Sequence, residues 1–552
     1  MQNRFPILVP LAIGGLLALV LLLLLPRDWL GKWSLTGPLR RQFITENPPR
    51  PPQGGDGSGA ETLHATDVMA VDPKWAEASA AVMEMLRRRL EDKDARDKEA
   101  LLTFKDEAAY RRFLERAGGG LRVLGKLDDF NTVRVVYDSL DDLHKDILGN
   151  AADYGDISAN YYAYMPDVPA QEERAAQTEV AFGDAMLPFL GVFGDHSSWG
   201  KGVTVAVLDS GIAADAGIPA SQLRYIDIGL GMVGSGSEDG HGTAVGYLVN
   251  QVAPGADILS IRVTGADGVS DLFTLAQGIR TAVDSGVSAV NISLGAYQNS
   301  LVLSAAIAYA AERGVLVVAA GGNDQAAQLT WPAADARVVS VGAVDALGQQ
   351  ATFSNSGENL SLTAPGYGIY TPWLGGERIV FDGTSASSPI VAGAIAALLS
   401  VNPGLTTEQA AGYLKQFSSD GGAPGADASY GSGILNLGWV MNSSNPNYFD
   451  TAVSSQYYNN RTGQMEIVVQ NRSGQGVNGL QLQVSGANGG TQNLVNLPLM
   501  AAGASYVVAL PIDQSAVNSG SGVSVQARLI NPPGLTDAQP SNNQRLSVVS
   551  RK

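Results

Sequence analysis

The sequence contains no cysteine, and this absence removes several kinds of chemistry at once. A chain of 552 residues without a thiol has no disulfide, no thiolate metal site and no cysteine nucleophile. Histidine is scarce, with four residues, and charged residues make up 16% of the chain. The formal charge of −17 argues against nucleic acid as a partner, because binding to phosphates needs a basic face. The length allows about three or four domains.

The longest apolar stretch, Phe5 to Pro26, carries no charge. About 20 apolar residues span a bilayer as a helix, and the stretch is not followed by the small-x-small site of a cleavable signal peptide. A buried helix of a soluble protein is the alternative. We predict that residues 1–33 are a single-pass transmembrane anchor in the cytoplasmic (inner) membrane. Basic residues after the helix favour a cytoplasmic location for the part of the chain that follows it. However, long domains cross the membrane largely regardless of flanking charge, so we expect the residues after the anchor to lie outside the cytoplasm.

Three segments of different composition follow the anchor. Residues 34–66 are rich in Pro, Gly and Ser, which predicts a disordered linker. Residues 67–98 mix acids and bases at helical spacing, which predicts a charged, solvated helix. Residues 99–165 alternate strand and helix patterns in the order β-α-β-β-α-β, which is a ferredoxin-like plan. This fold implies no function by itself.

Two motifs further along place a polar side chain at the end of an apolar segment. GVTVAVLDSGI, residues 202–212, predicts a buried parallel strand that ends in Asp209, where α/β sheets carry their sites. DGHGTAVGYLV, residues 239–249, sets His241 between two glycines at a strand-to-helix junction. Taken alone, the aspartate is more often a helix cap and the histidine more often structural.

A third motif joins a turn of small residues to a long apolar run. FDGTSASSPIVAGAIAALLS, residues 381–400, predicts a tight turn followed by a buried helix from Pro389, whose missing N–H suits a first helical turn. Ser385 is then expected just before the helix N-terminus, where free N–H groups favour negative charge. A serine cap on a core helix is the alternative.

The order Asp, His, Ser along the chain is that of subtilisin and differs from the orders of chymotrypsin and the α/β-hydrolases. The segments VAVLDSGI, HGTAVG and GTSASSP resemble the motifs of the subtilisin-like serine proteases, the subtilases, over about residues 187–439. The resemblance implies a subtilisin-like α/β fold with a parallel sheet covered by helices, and a serine endopeptidase with Asp209, His241 and Ser385 as its triad. VVAAGGND supplies Asn323, which matches the side-chain oxyanion donor of the family. Ala386 and Ala244 depart from the usual residues and indicate a divergent branch.

The same resemblance implies how a peptide is held. It predicts that the substrate lies as an added strand between two edges of the protein. It also predicts that the pocket for the residue before the scissile bond prefers an apolar or small side chain. The predicted substrate-binding residues are Gly268, Val269, Ser270, Ser293, Leu294, Gly295, Gly321 and Gly322. No cofactor is expected. No metal is expected at the strong calcium site of the family, because Ile218 replaces its aspartate and the loop after the histidine helix is missing.

Placed before such a domain, residues 99–165 resemble the family's propeptide, an inhibitor and folding chaperone. The resemblance predicts self-cleavage near Tyr164 or Met165 and a peptidase domain over residues 166–445, released from the anchor after processing. Residues 446–552 show short alternating runs separated by Gly, Asn and Pro, which predicts an Ig-like β-sandwich. That domain is either a binding accessory or a spacer. A rival hypothesis for the whole chain is a non-catalytic, membrane-anchored binding platform with a subtilase fold.

Overall fold

The structure is a computed structural model that describes residues 73–165, 179–228, 240–265, 267–486, 492–519 and 522–549. The predicted anchor, residues 1–33, and linker, residues 34–66, lie outside the described residues. Within the described ranges, one helix, Thr384–Val401, is long and apolar enough to cross a membrane. Because 89% of its apolar window is buried inside the protein, it is a core helix.

The first described unit follows the predicted order of elements. Its elements are α1 (Pro73–Asp92), β1 (Ala95–Phe104), α2 (Glu107–Arg116), β2 (Leu121–Leu127), β3 (Thr132–Tyr137), α3 (Leu140–Gly149) and β4 (Tyr154–Tyr164). The strands pair antiparallel in the order β2-β3-β1-β4. The predicted boundary between helix and first strand at residue 98 is wrong. The helix ends at Asp92 and β1 begins at Ala95, which pairs with Tyr161 of β4, and the charged residues 96–98 lie in an irregular stretch between the paired residues Ala95 and Ala100.

A seven-stranded sheet, in which every neighbouring pair is parallel, forms the centre of the next unit, as predicted from its apolar runs. Its strands are β5 (Thr204–Asp209), β6 (Leu223–Asp227), β7 (Asp257–Arg262), β9 (Ala289–Ile292), β10 (Leu316–Ala320), β11 (Val339–Val344) and β12 (Leu362–Pro365). The order is β12-β11-β10-β9-β5-β7-β6. After β5, the chain forms β6 and β7, which lie on one side of β5 in this order. It later forms β9, which is the neighbour of β5 on the other side. The carboxyl ends of β5 and β9 therefore lie where such sheets hold their sites.

Helices cover both faces of this sheet. They are α4 (Met186–Phe189), α5 (His241–Val252), α6 (Leu272–Asp284), α7 (Leu301–Glu312), α8 (Thr384–Val401), α9 (Thr407–Gln416) and α10 (Leu437–Asn442). Val205 and Val207 of β5 belong to the core that contains α5 and α8. Ala206 and Leu208 belong to the other core, with α6 and α7. This alternation buries both faces of the strand, which is why its sequence is a continuous apolar run.

Two further groups of strands complete the described chain. A short strand, β8 (Val269–Asp271), pairs with the end of β4, and a hairpin is formed by β13 (Ile369–Pro372) and β14 (Arg378–Phe381). The C-terminal unit has two antiparallel sheets, in the orders β15-β16-β19 and β18-β17-β20-β21, which enclose one apolar core. Their elements are β15 (Thr451–Asn459), β16 (Gln464–Asn471), β17 (Gln481–Ser485), β18 (Asn493–Asn496), β19 (Ser505–Pro511), α11 (Gln514–Asn518), β20 (Val523–Ile530) and β21 (Gln544–Val549).

Candidate active site

Asp209 is the last residue of β5 and is completely buried. Its Oδ1 accepts a hydrogen bond from Nδ1 of His241 at 2.8 Å and another from the backbone N–H of Ser210 at 2.8 Å. These two bonds hold Oδ1 in place, while Oδ2 is buried and has no hydrogen-bond partner among the described residues. A carboxylate bonded to Nδ1 leaves the proton-accepting role of the imidazole to Nε2 and stabilises the ring once it is charged.

His241 is the first residue of α5, and the glycines on either side allow its close packing. A Cβ at Gly240 would lie 2.1 Å from the indole of Trp373, and a Cβ at Gly242 would lie 2.3 Å from the carbonyl oxygen of Gly211. Phe381 packs edge-on against the imidazole, with ring centroids 5.3 Å apart. The ring is therefore held by the aromatic hairpin on one side and by the carboxylate on the other.

Ser385 lies inside α8 rather than before it, which corrects the sequence-based expectation. The helix begins at Thr384, so Ser385 is its second residue and Pro389 is its sixth. A proline at this position removes the N–H that would bond to the Ser385 carbonyl four residues earlier. The Oγ of Ser293 donates to that carbonyl at 3.3 Å instead. This bond from a neighbouring strand end accounts for a helix that continues through a proline.

The Ser385 hydroxyl itself makes a weak interaction. Its Oγ donates to the backbone carbonyl of Ser293 at 3.5 Å, at the long limit for a hydrogen bond. The described residues include no hydrogen bond between the Ser385 hydroxyl and His241. Catalytic hydrogen bonds are often long or misaligned in a protein without substrate and tighten when substrate binds. The helices that carry the two side chains, α5 and α8, pack against each other in one core.

Asn323 follows β10 and lies against the start of α8. Its Oδ1 accepts hydrogen bonds from the backbone N–H of Thr384 at 2.9 Å and from the Thr384 hydroxyl at 2.8 Å. Because the amide group is planar, these two bonds determine the direction of its NH₂ group. The NH₂ group and the backbone N–H of Ser385, in the first turn of α8, are both donor groups at this helix end.

The predicted substrate edges are occupied by the end of β4. Tyr164 exchanges two hydrogen bonds with Gly295, its N–H donating at 2.9 Å and its carbonyl accepting at 2.9 Å. On its other side, Tyr164 pairs with Val269 of β8 in antiparallel register, and Ala163 pairs with Ser270. The last strand of the first unit therefore lies as an added strand between the two edges, and Met165 follows it. Gly268 precedes β8 with a φ of +72°, a conformation that favours glycine.

The predicted pocket residues also come together. A Cβ at Gly295 would lie 2.4 Å from Oγ1 of Thr330, and a Cβ at Gly322 would lie 2.3 Å from Nδ2 of Asn355. The N–H of Thr330 donates to the Gly321 carbonyl at 3.1 Å. The glycines therefore allow Thr330 and Asn355 to pack closely against the edge at Gly295 and the loop after β10. Leu294 and Ser293 are fully buried, so this edge presents backbone groups rather than their side chains.

The arrangement supports one kind of chemistry. An imidazole oriented by a carboxylate, a serine hydroxyl at a helix start and a side-chain amide beside it are the groups required for nucleophilic acyl transfer. Within the described ranges, no group of three or more His, Asp or Glu side chains is close enough to hold a metal ion.

The sequence did not identify two supporting groups. One is the Ser293 hydroxyl, and the other is Ser210, whose Oγ accepts from the Gly242 N–H at 3.1 Å. Pro389, four residues after Ser385, could have indicated the first group, because a proline there leaves the Ser385 carbonyl in need of another donor.

Comparisons with known proteins find one family over the central part of this chain. The model of the Subtilase family matches residues 200–433. Subtilisin BL of Lederbergia lenta is 35% identical over 247 residues, which are 43% of this chain and 90% of that protein. The thermostable alkaline protease of Halalkalibacterium halodurans is 32% identical over 292 residues, which are 50% of this chain and 77% of that protein.

One solved structure is similar over most of the chain. Fervidolysin from Fervidobacterium pennivorans, described as a keratinolytic enzyme related to subtilisin, aligns with 83% of this chain and 76% of its own, with a TM-score of 0.54. At 18% identity this likeness concerns the fold alone. Together with the curated relatives, it confirms the predicted subtilisin-like α/β fold.

Proposed function

We propose that Asp209, His241 and Ser385 are the catalytic triad of this protein, because the chain belongs to the subtilase family of serine endopeptidases. The observation that carries the proposal is the 2.8 Å bond between the His241 Nδ1 and the buried Asp209 carboxylate, beside the helix that bears Ser385. The chain also has the oxyanion-donor candidate Asn323 at the start of that helix.

In the proposed reaction, the Ser385 hydroxyl exchanges its weak bond to the Ser293 carbonyl for one to Nε2 of His241. The imidazole accepts the hydroxyl proton while Oγ attacks the peptide carbonyl, and it later donates that proton to the leaving amine. Asp209 stabilises the imidazolium. The Asn323 amide and the Ser385 N–H stabilise the tetrahedral oxyanion. Water then hydrolyses the acyl-enzyme with the same base, and no cofactor takes part.

The substrate of this reaction is a protein or peptide in an extended conformation. A bound peptide replaces the β4 strand and exchanges hydrogen bonds with Gly295 on one side and Val269 on the other, as Tyr164 does. Main-chain pairing of this kind supplies affinity without selecting a sequence. Gly321 and Gly322 provide the space for the side chain before the scissile bond.

We further propose that the protein is made as a membrane-anchored zymogen whose residues 99–165 inhibit the peptidase until self-cleavage. The occupied substrate edges support this proposal, since no second peptide can pair with Gly295 while Tyr164 does. The register also bears on the cleavage position. If the antiparallel pairing with Gly295 continued along the chain, Ser293 would pair with the residue two positions after Tyr164. Because Ser293 contacts Ser385, we expect the scissile bond within about two residues after Met165.

Replacement of the nucleophile tests the whole proposal. The full-length chain with Ser385→Ala should neither hydrolyse an unstructured protein such as casein nor release its N-terminal unit. The unaltered chain should do both, and N-terminal sequencing of its product should identify the processed bond. Processing that persists in the variant would contradict self-cleavage. Ser387→Ala, which changes a buried hydroxyl of the same helix, is the matched control.

The rival hypothesis of a non-catalytic platform makes a different prediction. A serine-directed fluorophosphonate probe should label the processed protein at Ser385 and should fail to label the Ser385→Ala variant. Processed protein that remains unlabelled at probe concentrations sufficient for other serine hydrolases would favour the platform.

A further inference from the structure

A buried carboxylate lies at the far end of the substrate edge. Asp271 ends β8, and its side chain is 2% exposed. Its Oδ1 accepts a hydrogen bond from the Thr274 N–H at 2.9 Å and so caps the N-terminus of α6. Its Oδ2 has a different role, because two arginines converge on it. Nε of Arg96 lies at 3.1 Å and Nη1 of Arg134 at 3.7 Å.

Both arginines come from the N-terminal unit, one from β1 and the other from β3. Among the residues that the structure describes, these are the cations within 4.0 Å of the Asp271 carboxylate. The described residues of the peptidase unit that carries Asp271 therefore supply no ion pair to this group. When the N-terminal unit leaves, Oδ2 loses both partners. The negative charge, which both arginines neutralise in the unprocessed chain, then attracts another cation.

The substrate position that faces this carboxylate follows from the strand register. Asp271 is the antiparallel partner of Tyr162, two residues before the Tyr164 that pairs with Val269. Side chains of directly opposite residues lie on the same side of a sheet and contact each other. Arg96 confirms this geometry for Tyr162, since its guanidinium lies 4.9 Å from the centre of the Tyr162 ring while its Nε binds Asp271.

We propose that Asp271 is a specificity-determining residue that selects a lysine or arginine at the substrate position occupied by Tyr162. The inference rests on the proposed endopeptidase function and adds a substrate class to it, namely segments with a basic residue two positions before the one paired with Gly295. In the unprocessed chain, Arg96 reaches the same carboxylate from the neighbouring strand, so the inhibitory strand itself needs no basic residue there. The same carboxylate then binds the two arginines of the inhibitor first and the basic side chain of a substrate afterwards.

The test uses the self-processed full chain and synthetic peptides that span residues 157–172 of this sequence. Three peptides differ at one position, with Tyr162→Lys, Tyr162→Gln or Tyr162→Glu. We expect kcat/KM for the Lys peptide to exceed that for the Gln peptide about five- to tenfold, since opposite charges in a cross-strand pair attract. The Glu peptide should be cleaved more slowly than the Gln peptide.

The variant Asp271→Asn separates charge from structure, because asparagine caps a helix as well as aspartate does. In this variant, the ratio between the Lys and Gln peptides should fall to about one. Glu312→Gln removes the same charge from an exposed position and should retain the full preference. Equal cleavage of all three peptides by the unaltered enzyme, or a Lys preference that survives Asp271→Asn, would overturn the inference. Failure of the unaltered enzyme to cleave any of the peptides, in a preparation that also leaves casein intact, would instead refute the proposed function and the inference with it.

Discussion

Ser293 and Ser385 are joined by hydrogen bonds in both directions. The Oγ of Ser293 donates to the Ser385 carbonyl at 3.3 Å, and the Ser385 Oγ donates to the Ser293 carbonyl at 3.5 Å. The residue after β9 therefore holds both the backbone and the side chain of the proposed nucleophile. It also belongs to the edge that we propose binds substrate, so the position of the nucleophile and the position of the peptide would depend on the same strand end.

Replacement of Ser293 should move the nucleophile. Ser293→Ala leaves the Ser385 carbonyl without its donor, and we expect a loss of about 1–3 kcal/mol in stability. We expect kcat to fall about 10- to 100-fold with a smaller change in KM, because misplacement by a fraction of an ångström weakens attack. Steady-state kinetics on a peptide substrate and thermal unfolding of the Ser385→Ala background would measure these effects separately.

A double-mutant cycle tests whether the contact acts through a network. The Ser388 Oγ donates to Oδ1 of Asn291 at 2.6 Å, and Nδ2 of Asn291 donates to the Ser293 Oγ at 3.1 Å. The effects of Ser293→Ala and Ser388→Ala should therefore be clearly less than additive. Strictly additive losses would mean that the chain of hydroxyl and amide groups does not position Ser385.

Asn323→Asp isolates the proposed oxyanion donor. The substitution keeps an acceptor for the two Thr384 bonds and removes the NH₂ group, but it places a carboxylate at a buried position, so the melting temperature should also fall. We expect kcat to fall at least 10²- to 10³-fold, the loss usual when a serine peptidase loses one such donor. KM should stay within a few-fold of its original value. A variant with nearly unchanged kcat would remove Asn323 from the mechanism.

The stability of the C-terminal unit should depend on pH through Asp450. Its carboxyl group is fully buried and accepts a bond from Nδ2 of Asn542 at 2.9 Å. Burial raises the pKa of Asp450 to about 6, in spite of the Arg472 guanidinium nearby and with the help of Asp537. The unfolded chain loses this proton near pH 4 and the folded protein near pH 6, so stability falls as pH rises through that window. A shift of about two pKa units corresponds to about 3 kcal/mol.

The variant Asp450→Asn imitates the protonated acid and should remove this dependence. At pH 8 it should unfold at a higher temperature than the unaltered protein, and at pH 4 the two should unfold together. Circular dichroism during heating at both pH values would show the difference. Asp215→Asn, at an exposed position, should have no such effect. A variant destabilised equally at both pH values would mean that the carboxylate is needed for packing.

Individual elements show how far the sequence predicts this structure. The buried parallel strand ending in Asp209 was predicted and is β5, because a continuous apolar run is a local signal. The strands β6, β11 and β12 were not predicted. β6 is a partly exposed edge strand and β12 has four residues, so neither carries a periodic signal that is independent of its neighbours. The start of α8 was placed five residues late, since a local rule puts proline in the first turn.

The sequence by itself determined which chemical groups are available and in what order, because the motifs around Asp209, His241, Asn323 and Ser385 are contiguous runs of residues. It also determined the alternation of strands and helices, which follows from the spacing of apolar side chains. The tertiary structure alone decided the 2.8 Å contact between Asp209 and His241, the support of Ser385 by Ser293 and the two arginines on Asp271. Each of these depends on strand order and register, and the free energy that selects them comes from burial between segments far apart in the chain.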